Sequence, residues 1–132
     1  MDENLIIDTL RQSFEDDNLK RHILDVQWYR LNIDSGIHST GFCFSASEVF
    51  YRLTGGNAIW QVRYLHDPTH WNNGTHYFLR RRANNDIIDL TSDQYTGRGI
   101  EIPDTIGKGR GLRNISNIAR LLARLTGLGE LN

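Results

Sequence analysis

The chain has 132 residues, of which 39% are hydrophobic and 23% charged, the make-up of a globular domain rather than a disordered segment. Its 15 basic and 16 acidic side chains leave a net charge of −1, which provides no whole-molecule attraction to nucleic acid or to a membrane surface. One cysteine excludes an internal disulfide and suits a reducing cytoplasm, and no stretch approaches the roughly 20 apolar residues of a membrane span.

The acidic start, MDENLIIDTLRQSF, lacks the apolar run of a secretory signal, and the length fits one domain over residues 1–132. Without such a signal, the sequons at Asn73 and Asn114 read as chance matches. Leu5, Ile6, Leu10 and Phe14 recur at helical spacing, so residues 3 to about 15 are predicted to form a helix. Asp17 or Asn18 is placed to cap a second short helix through Leu24, ahead of a Trp28, Tyr29 and Leu31 cluster. Residues 35–42 are small, polar and glycine-bearing, and read as a loop. Ala46, Val49, Phe50 and Leu53 then give a helix from about Cys43 to Leu53, ended by Gly55-Gly56.

Ala58 to Leu65 alternates Ile59, Gln61 and Arg63 against Trp60, Val62 and Tyr64, the pattern of a strand. His66 to Thr75, with Pro68, Asn72, Asn73 and Gly74, is a loop. His76–Arg80 and Asp86–Thr91 read as the two strands of a hairpin. A glycine-rich stretch with Pro103 follows, and a last helix runs from about Asn114 to Leu125 with Ile115, Ile118, Leu122 and Leu125 on its apolar stripe. That stripe packs on the domain or supplies a dimer contact. The predicted class is α+β, a cysteine-bearing helix packed on a small antiparallel sheet between terminal helices.

The chemistry centres on Cys43. At a helix start it meets unpaired N–H groups and the positive end of the helix dipole, an environment that favours the nucleophilic thiolate. A thiol nucleophile needs a base, and the base needs a group to orient it. Of the five histidines, only His76 opens a predicted strand beside a strand that carries a carboxylate. That carboxylate is Asp89, which lies among Ile87, Ile88 and Leu90, where an acid needs a partner. A four-residue loop over residues 81–84 would pair Arg80 with Asn85 and set His76 opposite Asp89, whereas a two-residue Asn84-Asn85 turn would set His76 opposite Asp93. An ion pair of Asp89 with Arg63 or Arg80 is the structural alternative.

Gly41-Phe42-Cys43 opening a helix with Ala46 one turn on, then His76-Tyr77-Phe78-Leu79, then Ile88-Asp89-Leu90-Thr91, resembles the papain-like cysteine hydrolase superfamily, most closely its transglutaminase-like branch. The resemblance covers residues 41 to about 95 and departs in having Leu90-Thr91 where that branch has Pro-Thr. It implies a papain-like core in which Cys43 is the nucleophile, His76 the base and Asp89 its orienting acid, acting on an amide or thioester of a protein or peptide. It also implies a side-chain donor to an oxyanion hole, for which Gln27 has the right chain order and Gln94 lies near Asp89. No cofactor is required.

Other readings of the same residues stand beside this one. His66 and His70, with Cys43 and His76, are a possible zinc set, although Pro68 argues against a helix there. Trp60 and Trp71 read as core or cleft wall. Arg80-Arg81-Arg82 with Arg110, Arg113, Arg120 and Arg124 reads as a solvated face rather than an anion-binding surface. The alternative to an enzyme is a protein-binding module that keeps the fold without the activity.

Overall fold

Side chains that accept from first-turn N–H groups set most of the helix starts. In the computed structural model, which describes residues 2–67, 74–102 and 105–132, Asp2 caps α1 (Glu3–Ser13), Asp16 caps α2 (Asp17–Ile23) and Asp25 caps α3 (Val26–Ser35). Each such cap contributes about 1 kcal/mol. The α2 cap is therefore Asp16, immediately before the expected Asp17 or Asn18 pair. The Trp28, Tyr29 and Leu31 cluster lies inside α3, a helix not expected from the sequence. Gly36 closes it in the left-handed conformation, with φ 69°.

The cysteine helix, α4 (Cys43–Leu53), has the expected bounds, with Thr54 as its C-cap and Gly55 and Gly56 following at positive φ. Ala46, Val49 and Phe50 are fully buried. Burying a valine or phenylalanine contributes about 1.5–3 kcal/mol, which outweighs their weak helix propensity. A single 3₁₀ turn, Gly56–Ala58, delays the first strand to β1 (Trp60–His66). It is followed by β2 (Thr75–Arg81), β3 (Ile87–Ile88), the short α5 (Asp93–Thr96), β4 (Lys108–Arg110) and α6 (Asn117–Leu125). The strands form one antiparallel sheet in the order β3-β2-β1-β4.

Trp60, Val62, Tyr77 and Leu79 point to the face on which α4 packs, and α6 and α1 close over the other side of that helix. His76 and Phe78, one residue out of phase on β2, point to the opposite face. The protein is thus α+β, with the cysteine-bearing helix packed on a small antiparallel sheet. Among the described residues, no helix is long and apolar enough to cross a membrane.

Several expectations need correction. Leu5 is 57% exposed and lies off the buried stripe of α1, which is Ile6 and Leu10 continued by Phe14. The last helix begins at Asn117, capped by Ser116, and buries Ala119, Leu122 and Ala123, while Ile118 and Leu125 stay over 40% exposed. Smaller alanines let that face approach α4 closely. The glycine-rich stretch contains a strand not expected from the sequence, β4; Pro103 lies outside the described residues. The strand expected over 86–91 pairs only at Ile87 and Ile88, and Asp89 to Thr91 turn away from the sheet.

The hairpin register also differs from both expected ones. Leu79 pairs with Ile88, Arg80 with Ile87, and the Arg81 N–H donates to the Asp86 carbonyl, leaving residues 82–85 as the loop. Asn85 takes φ 64° there, as a turn asparagine can. The loop has the expected length but starts one residue later. His76 consequently stands directly opposite neither Asp89 nor Asp93.

Candidate active site

Cys43 is the first residue of α4, half-buried and free of any disulfide. Its placement depends on the turn before it. Gly41 has φ 91°, and a Cβ there would lie 2.8 Å from Leu24 Cδ2 and 3.3 Å from Trp28 Cβ. The glycine is required both for its conformation and for this close approach. Asn32, buried on α3, donates from its side-chain amide to the carbonyls of His38 (2.8 Å) and Thr40 (2.9 Å). Asn32 thereby fixes the loop that delivers Cys43. Phe42 occupies the N-cap with no side-chain hydrogen bond, so no side chain caps the start of α4.

His76 lies at the beginning of β2 and is 2% exposed. One residue on from each, the Phe44 and Tyr77 rings meet edge to face at 4.9 Å, pinning the start of α4 to the start of β2. His76 Nε2 and Asp89 Oδ2 are 2.7 Å apart, and Asp89 Oδ1 accepts from the Thr91 N–H at 3.1 Å. Continued past Ile88, the observed register sets Asp89 level with Phe78, so its carboxylate reaches His76 diagonally along one face of the sheet. Tyr95 presents its ring to the imidazole edge to face at 5.0 Å.

The other ring nitrogen, Nδ1, is buried and has no partner at full hydrogen-bond geometry. Cys43 nonetheless lies near enough to the ring to favour its charged form. A nucleophile–base contact this loose is usual in an unliganded site. Burial of the ring works against the imidazolium. Asp89, through its hydrogen bond and charge, and the nearby Cys43 outweigh burial and push the His76 pKa up to about 10.

The remaining candidates sit elsewhere. Asp93 accepts from the Ser39 hydroxyl at the start of α5, and Arg63 and Arg80 are engaged with Gln61 and with loop groups, so neither arginine holds Asp89. Gln94 is buried and donates to the Ser39 carbonyl at 3.3 Å, while Gln27 is exposed on α3. His66 is exposed at the end of β1; His70 and Trp71 lie outside the described residues. Trp60 is core, with the Arg81 guanidinium 4.2 Å from its ring centroid. Of the other arginines, Arg81 pairs with Glu3 and Arg124 with Glu130.

Sequence reasoning missed Asn32, Tyr95 and Arg11. Arg11, on α1, donates to the carbonyls of Asp89 (3.1 Å) and Leu90 (3.4 Å), bracing the turn that carries the acid. The caps Asp25 and Gly36 were the available signal for α3, and hence for Asn32. Beside Arg11 opens a cavity of about 820 Å³, walled mainly by Ile7, Leu65, Phe78, Ile87 and Ile88. His76 and Asp89 border it; Cys43 does not.

A scan against protein-family models and searches of curated proteins and of solved structures return no match.

Proposed function

We propose that this chain is a cysteine-nucleophile hydrolase or acyltransferase acting on amide bonds through Cys43, His76 and Asp89, as its resemblance to the transglutaminase-like branch of the papain-like superfamily implies. The observation that supports this reading is the buried His76 ring, bonded through Nε2 to Asp89 while Cys43 acts on it from the first turn of α4.

In this reading Asp89 holds the His76 ring in its charged form, and the sulfur reacts as the thiolate. The Cys43 sulfur adds to the substrate carbonyl carbon, and the C=O π pair moves onto oxygen, where first-turn N–H groups of α4 hold it. As the C–N bond breaks, His76 gives its Nδ1 proton to the leaving nitrogen, forming a thioester on Cys43. Water or an amine then adds to the thioester carbonyl and loses its proton to Nδ1. The C–S bond breaks and restores the thiolate. Asp89 keeps the ring oriented throughout and stabilises its charged form. The same steps serve peptide cleavage, glutamine deamidation and amine transfer, which differ only in leaving group and acceptor. The nucleophile must stay reduced, and a cytoplasmic location belongs to the same proposal.

Labelling of Cys43 by iodoacetamide at about pH 6, read by mass spectrometry, tests the reading. The wild-type rate is expected to exceed that of His76→Ala by ~10-fold or more, because the reading makes the His76 ring the group that takes up the Cys43 proton. Equal rates would overturn the assignment and favour a non-catalytic binding module.

A further inference from the structure

An arginine is stacked against the aromatic contact that joins the start of α4 to the start of β2. Arg110 on β4 pairs in register with Val62, which sets it on the α4-facing side of the sheet. Its guanidinium lies 4.5 Å from the Phe44 ring centroid and 5.5 Å from that of Tyr77, and it donates to the Tyr77 hydroxyl at 2.7 Å. Phe44 follows Cys43 and Tyr77 follows His76, so both rings that hold the cation belong to residues next in chain to the reacting pair. Arg110 is solvent-exposed, and among the described residues no carboxylate pairs with it. Of the other strand-borne arginines, Arg81 pairs with Glu3, while Arg63 and Arg80 share the Gln61 side chain and are held by it and by loop groups. Stacking fixes the plane of the guanidinium before any ligand arrives, which lowers the entropic cost of binding a carboxylate in its fork. Lys108, two residues earlier on β4 and opposite Tyr64, adds a second exposed cation on the same side.

We infer that Arg110 is a specificity residue that recognises a carboxylate of the acyl substrate beside Cys43, so that the preferred substrates are acidic. The inference rests on the proposed cysteine chemistry for its meaning, but its test does not.

The test compares Cys43 alkylation by iodoacetate with that by the neutral iodoacetamide, in wild type and in Arg110→Gln. The ratio of the iodoacetate to the iodoacetamide rate is expected to fall about fivefold or more in Arg110→Gln, the loss of one close favourable charge, with Arg110→Lys intermediate. An unchanged ratio overturns the inference, even where the His76 dependence of iodoacetamide labelling upholds the cysteine chemistry. A lost His76 dependence overturns the chemistry instead, and the ratio still reads the arginine. N-iodoacetyl-glycine and the α-amide of N-iodoacetyl-aspartate separate a chain-terminal from a side-chain carboxylate: the one slowed more by Arg110→Gln identifies the source. If neither is slowed, the inference fails.

Discussion

The carboxylate of Asp89 has both its oxygens engaged, Oδ2 with His76 Nε2 at 2.7 Å and Oδ1 with the Thr91 N–H at 3.1 Å. The second contact is what makes the first directional, since it fixes the carboxylate plane in a turn braced by Arg11. Asp89→Asn keeps the size and the acceptor to Thr91 but removes the charge that favours the imidazolium. Iodoacetamide labelling of Cys43 at about pH 6 is expected to slow ~10-fold or more, with the folded state retained by circular dichroism. Asp93→Asn keeps an acceptor for Ser39 and should leave the rate unchanged. The reverse pattern would make Asp93 the acid.

The raised His76 pKa carries a sign for stability. Folding lifts the pKa from the ordinary 6.5 to about 10, so the folded state binds the proton more tightly than the unfolded chain. The stabilisation is complete below about pH 6.5 and is lost as pH rises through about 10. Urea midpoints measured across that window should fall more steeply for the wild type than for His76→Gln. Parallel curves would show that the ring gains no proton affinity on folding.

Glu48 concerns the scaffold rather than the chemistry. It is 1% exposed on α4, and its carboxylate accepts from both the N–H (3.1 Å) and the hydroxyl (2.7 Å) of Ser116, the cap of α6. Glu48→Ala would leave these groups and Arg52 without their acceptor, at a cost of about 2–3 kcal/mol. Glu48→Gln, which keeps one acceptor, should cost less. Equilibrium urea unfolding measures both, and a Glu48→Ala loss below about 0.5 kcal/mol would remove the carboxylate from its role in docking α6.

Gly41→Ala should destabilise by about 1 kcal/mol or more and also slow labelling of Cys43, because the strained turn is the one that delivers the sulfur. Adding Leu24→Ala relieves the contact at 2.8 Å but not the backbone at φ 91°, so the double variant is not expected to recover. Full recovery would assign the whole effect to crowding.

The parts of the site that were legible in the sequence are those whose signals are local. Glycine before Cys43, apolar spacing after it and paired glycines at its end bound α4 without tertiary information. The His76–Asp89 contact was reached through the four-residue-loop register, which is two positions from the observed one. The contact survives because a shift of two returns every side chain to the same face, whereas a shift of one would have reversed it. What escaped was structure without local contrast. Helix α3 fully buries only Asn32, a polar residue, so its apolar pattern is faint. The three residues of β4 are all exposed, and its existence depends on β1. Arg11 and Tyr95 reach the site only through pairings distant in sequence.

The link from Arg11 to the turn at Asp89 and Leu90 has a consequence in time. It joins the first helix to residues 78 and 79 positions later, and Glu3 reaches Arg81 over a similar span. While the chain is being synthesised, α1 can form but has no hairpin to dock on until most of the protein has emerged. The cysteine helix buries its apolar face against α1, α6 and the sheet, so it too is fully packed only once those partners have emerged. The turn that carries Asp89 is braced only when a helix made at the start of synthesis meets a hairpin made much later.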